Sequence, residues 1–223
     1  MKKYISKRHT IEINLNSLEP KVFKFIKNLI RLYDRYGISL QLLNRPHVGY
    51  GNSTPNGQWL EDDFELQVAC KRPFKFWLEV LVHESCHVDQ YLEECASWLA
   101  VENAGDPYLI LDLWLDNEIE MIPEQLKKCV KLIQWHELDC EKRTVAKIKD
   151  WGLPLDIKEC TQHANSYIYF YTMMQSTRKW YRKGRGPYEI KMVTDAMPNK
   201  FLALEKYLQV DPALISLYNK YVF

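Results

Sequence analysis

The sequence predicts an α+β fold that is mostly helical, with a small N-terminal sheet of three or four strands. Residues 10–15, 38–43 and 63–69 alternate apolar and polar side chains or are rich in strand-forming residues. From Phe74 onward the apolar residues recur at helical spacing instead. With 223 residues, 47% of them hydrophobic, and no internal repeat, the chain is long enough for one domain with a substantial core.

The N-terminal half is organised by capping and turn residues. Ser17 is a candidate N-cap for a first helix that ends near Gly37, because glycine readily takes the left-handed conformation that follows a helix. Residues 49–57 are rich in turn formers and lead into the strand at 63–69. We therefore expect the sheet to be complete before the helix that begins at Phe74, and to pack on that helix.

The C-terminal half is expected to be helical throughout. A break at residues 104–107 separates the preceding helix from a short helix at 109–115, and Pro123 starts a long helix. Asp156 is a candidate cap for the next helix. Residues 184–223 are expected to form a helical extension of the same domain.

Composition and charge argue against a membrane-spanning protein and against a secreted one. The formal net charge is +1, no segment is apolar and long enough to cross a bilayer, and the basic residues at the start are not followed by an apolar run. We therefore expect a cytoplasmic protein without membrane contact. The six cysteines lack CxxC spacing, so they are interpreted as reduced core thiols.

The segment His83-Glu84-Ser85-Cys86-His87 is the strongest indication of function. Two imidazoles at positions i and i+4 lie on one face of a helix and can bind a single metal ion, while Glu84 lies beside them as a candidate general base. The apolar stripe of the helix continues through the segment, so ionisable groups stand where core residues are expected. Cys86 is a competing nucleophile or soft ligand, but it points about 100° away from His87 on the helix.

The long helix from Pro123 carries a second set of ionisable residues within an apolar stripe. Glu137 and Glu141 fall among positions that are expected to be buried. A carboxylate in an apolar interior must be neutralised, paired or bound to a metal, because leaving it charged and unpaired costs several kcal/mol. An imidazole pair needs an anionic third ligand, and either carboxylate could supply it. The stripe consists of Leu126, Val130, Ile133, Val145 and Ile148.

Together these residues resemble the gluzincin metallopeptidases, in which HExxH supplies two zinc ligands and a glutamate on a later helix supplies the third. Here Glu137-x-x-x-Glu141 stands in the place of the family's Glu-x-x-x-Asp, with Glu137 50 positions after His87. The resemblance implies a zincin-like fold, zinc bound by His83, His87 and Glu137, and peptide hydrolysis with Glu84 as general base. Glu141 replaces the family's aspartate, which makes it either a residue that supports a ligand or an alternative ligand.

The resemblance also implies roles for residues around the metal. The strand at 63–69 would be the edge of the sheet, lining the cleft and pairing with an extended peptide or protein substrate. Tyr171 and His163, on the helix that follows Asp156, would be catalytic residues that steady the oxyanion, as a Tyr or His does in thermolysin-like enzymes. His136 adjoins Glu137 and could replace it as a ligand.

Three alternatives remain. Residues 178–185 are basic and aromatic and could contact phosphates and stack on bases, which makes nucleic acid an alternative partner. A zincin-shaped chain could also be an inactive regulator that binds metal for stability. Finally, Glu84-x-x-His87 matches half of a di-iron helical bundle, but such bundles need a second motif, and Glu159 and His163 are one residue too far apart to provide it.

Overall fold

The computed structural model describes residues 4–5, 8–49 and 55–223, so the basic start and the turn-rich stretch at 49–57 lie partly outside the described residues. The strands are β1 (Tyr4–Ile5), β2 (Thr10–Ile11), β3 (Ser39–Leu43), β4 (Gly57–Leu60) and β5 (Glu65–Ala69). The helices are α1 (Pro20–Tyr36), α2 (Phe74–Glu93), α3 (Ala96–Glu102), α4 (Pro107–Leu115), α5 (Pro123–Trp151), α6 (Ile157–Thr177), α7 (Lys191–Thr194), α8 (Leu204–Tyr207) and α9 (Pro212–Tyr221).

The predicted α+β class with mostly helical content is confirmed. A mixed sheet in the order β1-β2-β3-β5-β4 comes first, and helices follow. Strands β2, β3 and β5 are parallel, whereas β1 and β4 run antiparallel to their neighbours. Helix α1 connects β2 to β3, because parallel neighbours require a crossover. Within the described part of the chain, no helix has the length and apolarity needed to span a membrane.

The expectation that the strand at 63–69 forms the sheet edge is wrong. Strand β5 lies between β3 and β4, and its Gln67 is paired with Gln41 on one side and Gln58 on the other. From Leu66 to Ala69 the strand is buried, as expected for a strand covered on both faces. Among the described strands, the outer place beside β5 belongs to β4.

Capping residues predict some helix ends and not others. Helix α1 is followed by Gly37 with φ 78°, and Asp156 caps α6 by accepting the backbone N–H of Glu159 at 2.8 Å. The N-cap prediction for Ser17 is wrong, because Ser17 lies in a 3-10 turn and α1 begins only at Pro20. The fixed φ of proline suits the first turn of a helix and sets this start.

Helix α2 is shorter than the predicted break at residues 104–107 implies. It ends at Glu93, and Glu94 takes a φ of 46° before α3 begins. A non-glycine residue rarely adopts this left-handed conformation, so local propensity does not predict the end. Helix α5, in contrast, begins at Pro123 as predicted.

The chain divides into two compact units. Unit 1 contains the described residues up to Leu92 together with Arg143–Leu155, and unit 2 contains Glu93–Lys142 together with Asp156–Phe223. The first part of helix α5, up to Lys142, therefore belongs to unit 2, and the last part, from Arg143, belongs to unit 1. In unit 1, Phe25 of α1 packs edge-on against Trp151 of α5 at 5.4 Å between ring centroids. The buried apolar face of its sheet consists of Leu40, Leu42, Leu66 and Val68.

The predicted C-terminal extension, residues 184–223, contributes to the core of unit 2. The buried hydroxyl of Tyr207 donates to the side chain of Asn165 on α6, and Asn165 Nδ2 donates to the carbonyl of Pro198 at 2.7 Å. The hydroxyl of Tyr218 donates to the carbonyl of Ser166 at 2.5 Å. These bonds fasten the last helices to α6.

Candidate metal centre

The motif residues lie in the middle of α2, in unit 1. Glu84 is 9% exposed, and His83 and His87 are half-buried. Ser85 and Cys86 are fully buried. Ser85 and Cys86 thus lie against the interior of unit 1, whereas His83 and His87 keep part of their surface exposed.

The two imidazoles have the spacing that one metal ion requires. His83 Nε2 and His87 Nε2 are 3.2 Å apart, and the ring centroids are 4.8 Å apart. Two nitrogens bound to one tetrahedral zinc at 2.0–2.1 Å are separated by about 3.3 Å. Without metal, the same distance allows one imidazole N–H to donate to the other nitrogen. The distance between the two nitrogens therefore matches that of two ligands on one zinc.

Gln90 contacts His87 from one helical turn further along α2. Its side-chain oxygen Oε1 is 2.9 Å from His87 Nδ1, and the residue is fully buried. An amide oxygen can only accept a hydrogen bond, so His87 Nδ1 carries the proton. In the neutral ring, the lone pair is then on the Nε2 that faces His83, where it accepts from the His83 Nε2–H in the absence of metal.

Glu84 lies against the first residue of β4. A Cβ added to Gly57 would be 2.5 Å from Val80 Cγ1 and 2.8 Å from Glu84 Cγ, distances at which real Cβ atoms are essentially never found. Two residues along β4, Trp59 packs on Tyr91 of α2 with 5.6 Å between ring centroids. The strand therefore runs close along α2, and glycine at position 57 is what allows this close approach beside the carboxylate.

Lys147 of α5 holds α2 within unit 1. Its Nζ lies 2.5 Å from Asp89 Oδ2 and donates to Ser85 Oγ at 3.0 Å. Burial lowers the pKa of the Lys147 ammonium, but the electrostatic interactions with Cys86 and Asp89 and the hydrogen bonds to them outweigh burial, so the pKa is raised. Cys86 is thus a member of this buried polar cluster.

In unit 2, Glu137 is a buried carboxylate surrounded by phenols. It is 5% exposed, and its Oε1 accepts from the hydroxyl of Tyr108 at 3.0 Å and from that of Tyr171 at 3.5 Å. Tyr108 also lies 2.9 Å from Nδ1 of His136. Because the Tyr108 proton goes to the carboxylate, His136 Nδ1–H donates to Tyr108. The chain His136–Tyr108–Glu137 therefore favours the ionised carboxylate.

The tyrosines around Glu137 stay protonated at neutral pH. Burial, followed by the charge of Glu137, raises the pKa of both Tyr108 and Tyr171 well above the ordinary value. Burial and the neighbouring Tyr171 likewise raise the pKa of Tyr167, whose hydroxyl lies 3.1 Å from that of Tyr171. All three phenols are consequently hydrogen-bond donors. The structure brings the predicted residues Tyr171 and Glu137 together, in a contact with each other.

The remaining predicted residues are distributed over α5 and α6. Glu141 is half-buried, and its charge is a minor contribution to the raised pKa of Tyr207, which burial brings to about 12. His163 is half-buried, and its backbone carbonyl accepts from Ser166 Oγ at 2.6 Å. The roles of Glu141 as ligand or supporting residue and of His163 as catalytic residue stay predictions.

The structure adds three residues that sequence analysis did not assign a role. Gln90 had a detectable signal, because position i+3 from His87 lies on the same side of the helix. Gly57 and Tyr108 had none, since Gly57 meets Glu84 from a separate strand and Tyr108 meets Glu137 from 29 positions earlier in the chain. Such contacts depend on the fold and not on local pattern.

The cysteines match the interpretation as core thiols. All but Cys95 are buried, and all six are thiols in the structure. Burial raises the pKa of Cys70 to about 12 and that of Cys129 to about 11. These two thiols are therefore protonated and poorly nucleophilic at neutral pH.

The basic segment at residues 178–185 is partly used within unit 2. Arg178 stacks on Trp114, donates to the carbonyls of Trp114 and Ile119, and pairs with Glu120 at 2.9 Å. Trp180 is 42% exposed. Arg178 thus serves as a structural link to the end of α4. The exposed cations that remain are Lys179, Arg182, Lys183 and Arg185.

Two groups of side chains therefore carry the candidate chemistry. In unit 1, α2 presents His83 and His87 with Glu84 beside them and Gln90 behind. In unit 2, α5 holds the buried carboxylate of Glu137. Comparisons of the chain with protein-family models, with curated proteins and with solved structures found no match.

Proposed function

We propose that this chain is a zincin-like, zinc-dependent peptidase. The observation that supports this most is the imidazole pair on α2, two half-buried residues whose Nε2 atoms are 3.2 Å apart, with a carboxylate one position after the first histidine. The letters HExxH alone could be accidental. A nitrogen spacing that matches a shared zinc, together with an amide oxygen bonded to the far side of one ring, makes a functional origin the better explanation.

The proposed ligand set is His83, His87 and a third residue from α5. Sequence analysis assigns the third place to Glu137, a buried carboxylate, with Glu141 as the alternative. The structure adds the buried thiol of Cys140, since a thiolate is a strong zinc ligand. Bound there, zinc would polarise the scissile carbonyl and lower the pKa of the attacking water.

Residues of unit 1 supply the general base and the strand that would pair with the substrate. The Glu84 carboxylate accepts the proton of the attacking water and passes it to the nitrogen of the leaving amine. Strand β4 passes Glu84 at Gly57, so an extended peptide that pairs with its outer edge would run past the general base. The substrate is accordingly a peptide or an unfolded protein segment.

Metal content tests the ligand set. We expect about one zinc per chain in the purified protein after dialysis against metal-free buffer, measured by elemental mass spectrometry. The variants His83→Ala and His87→Ala should lose it. Of Glu137→Ala, Cys140→Ser and Glu141→Ala, only the variant that lacks the true third ligand should lose most of the metal. A parent protein that binds no zinc even when zinc is added would refute the proposal.

Substitution of the general base tests catalysis. Glu84→Gln removes the proton acceptor and keeps the shape of the side chain, so cleavage of an unstructured peptide mixture, followed by mass spectrometry, should fall by about 10²- to 10⁴-fold. Zinc content should be unchanged. If Glu84→Gln cleaves as fast as the parent, Glu84 is not the base; if neither cleaves while both hold zinc, the chain is a metal-binding protein without peptidase activity.

A further inference from the structure

We infer that Gln90 is a positioning residue that fixes the tautomer of His87 and so prepares the imidazole pair to bind a metal. The inference rests on the proposed zinc site, and it concerns a residue that the HExxH pattern does not include. Gln90 acts through His87 and does not itself contact substrate or metal.

The direction of the hydrogen bond carries the argument. Gln90 Oε1 lies 2.9 Å from His87 Nδ1. A neutral imidazole has one protonated nitrogen and one lone pair, so a proton held on Nδ1 leaves the lone pair on Nε2. That Nε2 is the atom 3.2 Å from His83 Nε2. The bond therefore selects the tautomer in which His87 directs a ligand atom toward His83.

The position of Gln90 makes this bond durable. Gln90 follows His87 by three residues on α2, so the helix itself holds the amide beside the ring. The side chain is fully buried, which shields the bond from competition with water. A metal-binding histidine usually donates its second nitrogen to such an acceptor, and loss of the acceptor typically weakens metal binding by about 10- to 100-fold.

An amide acceptor differs from the carboxylate that often fills this role. Gln90 orients the ring without adding a negative charge, whereas a carboxylate would also make the imidazole more basic. Among His83, Glu84, His87 and Gln90, Glu84 is then the sole anion. Its role as proton acceptor does not compete with a second carboxylate bonded to His87.

The first experiment needs no substitution. In the full-length, metal-free protein with ¹⁵N-labelled histidine, at a pH where the ring is neutral, long-range ¹H–¹⁵N correlation should show His87 with Nδ1 protonated and Nε2 unprotonated. The opposite tautomer, or rapid exchange between the two, would overturn the inference. This result does not depend on zinc, so it is separate from any failure of the proposed function.

Two variants and one control complete the test. Gln90→Leu should release the tautomer and weaken zinc binding by about 10- to 100-fold in a competition titration with a chelator. Gln90→Glu keeps an acceptor oxygen and should restore both the tautomer and the affinity to within a few-fold. Gln134→Leu replaces another fully buried glutamine, one that donates to Ile168 and Thr172 in unit 2, and should leave zinc affinity unchanged.

The outcomes distinguish an effect of Gln90 on His87 from a general loss of stability. If Gln90→Leu and Gln134→Leu lower zinc affinity equally, the effect is a general loss of packing and the inference fails. If Gln90→Leu binds zinc as tightly as the parent, the proposed zinc site stands and the role of Gln90 does not. A parent with the expected tautomer but no zinc binding would instead remove the proposed function and, with it, the purpose assigned to Gln90.

Discussion

A carboxylate as deeply buried as that of Glu137 remains ionised only where donors compensate for the loss of water. Tyr108 and Tyr171 supply those donors, and His136 aligns Tyr108 by donating to its oxygen. The two phenols differ in geometry, because 3.0 Å is a normal hydrogen bond and 3.5 Å is at the outer limit. The hydroxyls of Tyr108 and Tyr171 should therefore contribute unequally to the free energy of unfolding.

Removal of the two hydroxyls tests this difference. Tyr108→Phe should lower the free energy of unfolding by about 1.5–3 kcal/mol, the range for a hydrogen bond to a charged group, and Tyr171→Phe should cost less. Urea unfolding of both variants at pH 7 measures the effect. If Tyr171→Phe cost as much as Tyr108→Phe, the shorter bond would not be the main support of the carboxylate.

At the scale of elements, the contact of β4 with α2 depends on one glycine. A methyl group at position 57 would overlap Val80 Cγ1 and Glu84 Cγ. Either the strand must move outward or the Glu84 side chain must turn, and both changes disturb the place assigned to the general base. Glycine is required here for close approach and not for backbone conformation.

Gly57→Ala should destabilise the protein by about 1–3 kcal/mol, as overpacking does, and should lower peptide cleavage if Glu84 is the base. Val80→Ala removes one of the two overlapping groups. The double variant Gly57→Ala/Val80→Ala should therefore lose less stability than the two single variants added together. Strict additivity in urea unfolding would mean that the methyl group does not meet Val80.

The ion pair of Lys147 connects the last part of α5 to α2 within unit 1. Lys147→Met should cost about 2 to 4 kcal/mol, somewhat less than for a fully buried pair, because the Lys147 and Asp89 side chains keep 16% and 23% exposure. Lys191→Met removes an exposed pair with Asp195 and should have no measurable effect. Equal effects in the two variants would contradict a structural role for Lys147.

The contribution of Lys147 to the free energy of unfolding should depend on pH, with a definite sign. Because the folded pKa of Lys147 is raised above its unfolded value, the contribution is fully present below the unfolded value, about 10.4, and is lost as pH rises through the folded pKa. The gap in unfolding free energy between the parent and Lys147→Met should thus be constant from pH 7 to about 9.5 and shrink at higher pH. A gap that widened with pH would reverse the assigned shift.

The sequence predicts which helices and strands form better than it predicts which of them lie side by side. Helical periodicity predicts most of the helices, and Gly37, Pro123 and Asp156 predict the end of α1 and the starts of α5 and α6, because these signals are local. Strand order is not local, so β5 was expected at the edge that β4 occupies. In the candidate site the imidazole pair follows from spacing on one helix, whereas the contact of Tyr108 with Glu137 requires the fold of unit 2.

At the scale of the whole molecule, each unit has its own chemical content. Unit 1 contains the imidazole pair and the candidate base, and unit 2 contains the buried carboxylate and its phenols. Unit 2 also depends on the C-terminal segment, since Tyr207 and Tyr218 are fully buried against α6 partners. Substitutions in that segment should therefore lower stability, whereas substitutions of the proposed metal ligands should lower zinc affinity.

Zinc should stabilise the folded chain through linkage. A ligand that binds the folded state alone at a free concentration of 100 times its Kd adds about 2.7 kcal/mol to the free energy of unfolding. Urea unfolding of chelator-treated protein, with and without zinc, should show this gain in the parent and in Glu84→Gln, which keeps both imidazoles. His83→Ala and His87→Ala should show little of it, whereas His163→Ala, which is not a proposed ligand, should show all of it. A gain that persists in both imidazole variants would mean that zinc binds elsewhere, and the spacing of 3.2 Å between the two Nε2 atoms would then be an ordinary contact between neighbouring imidazoles.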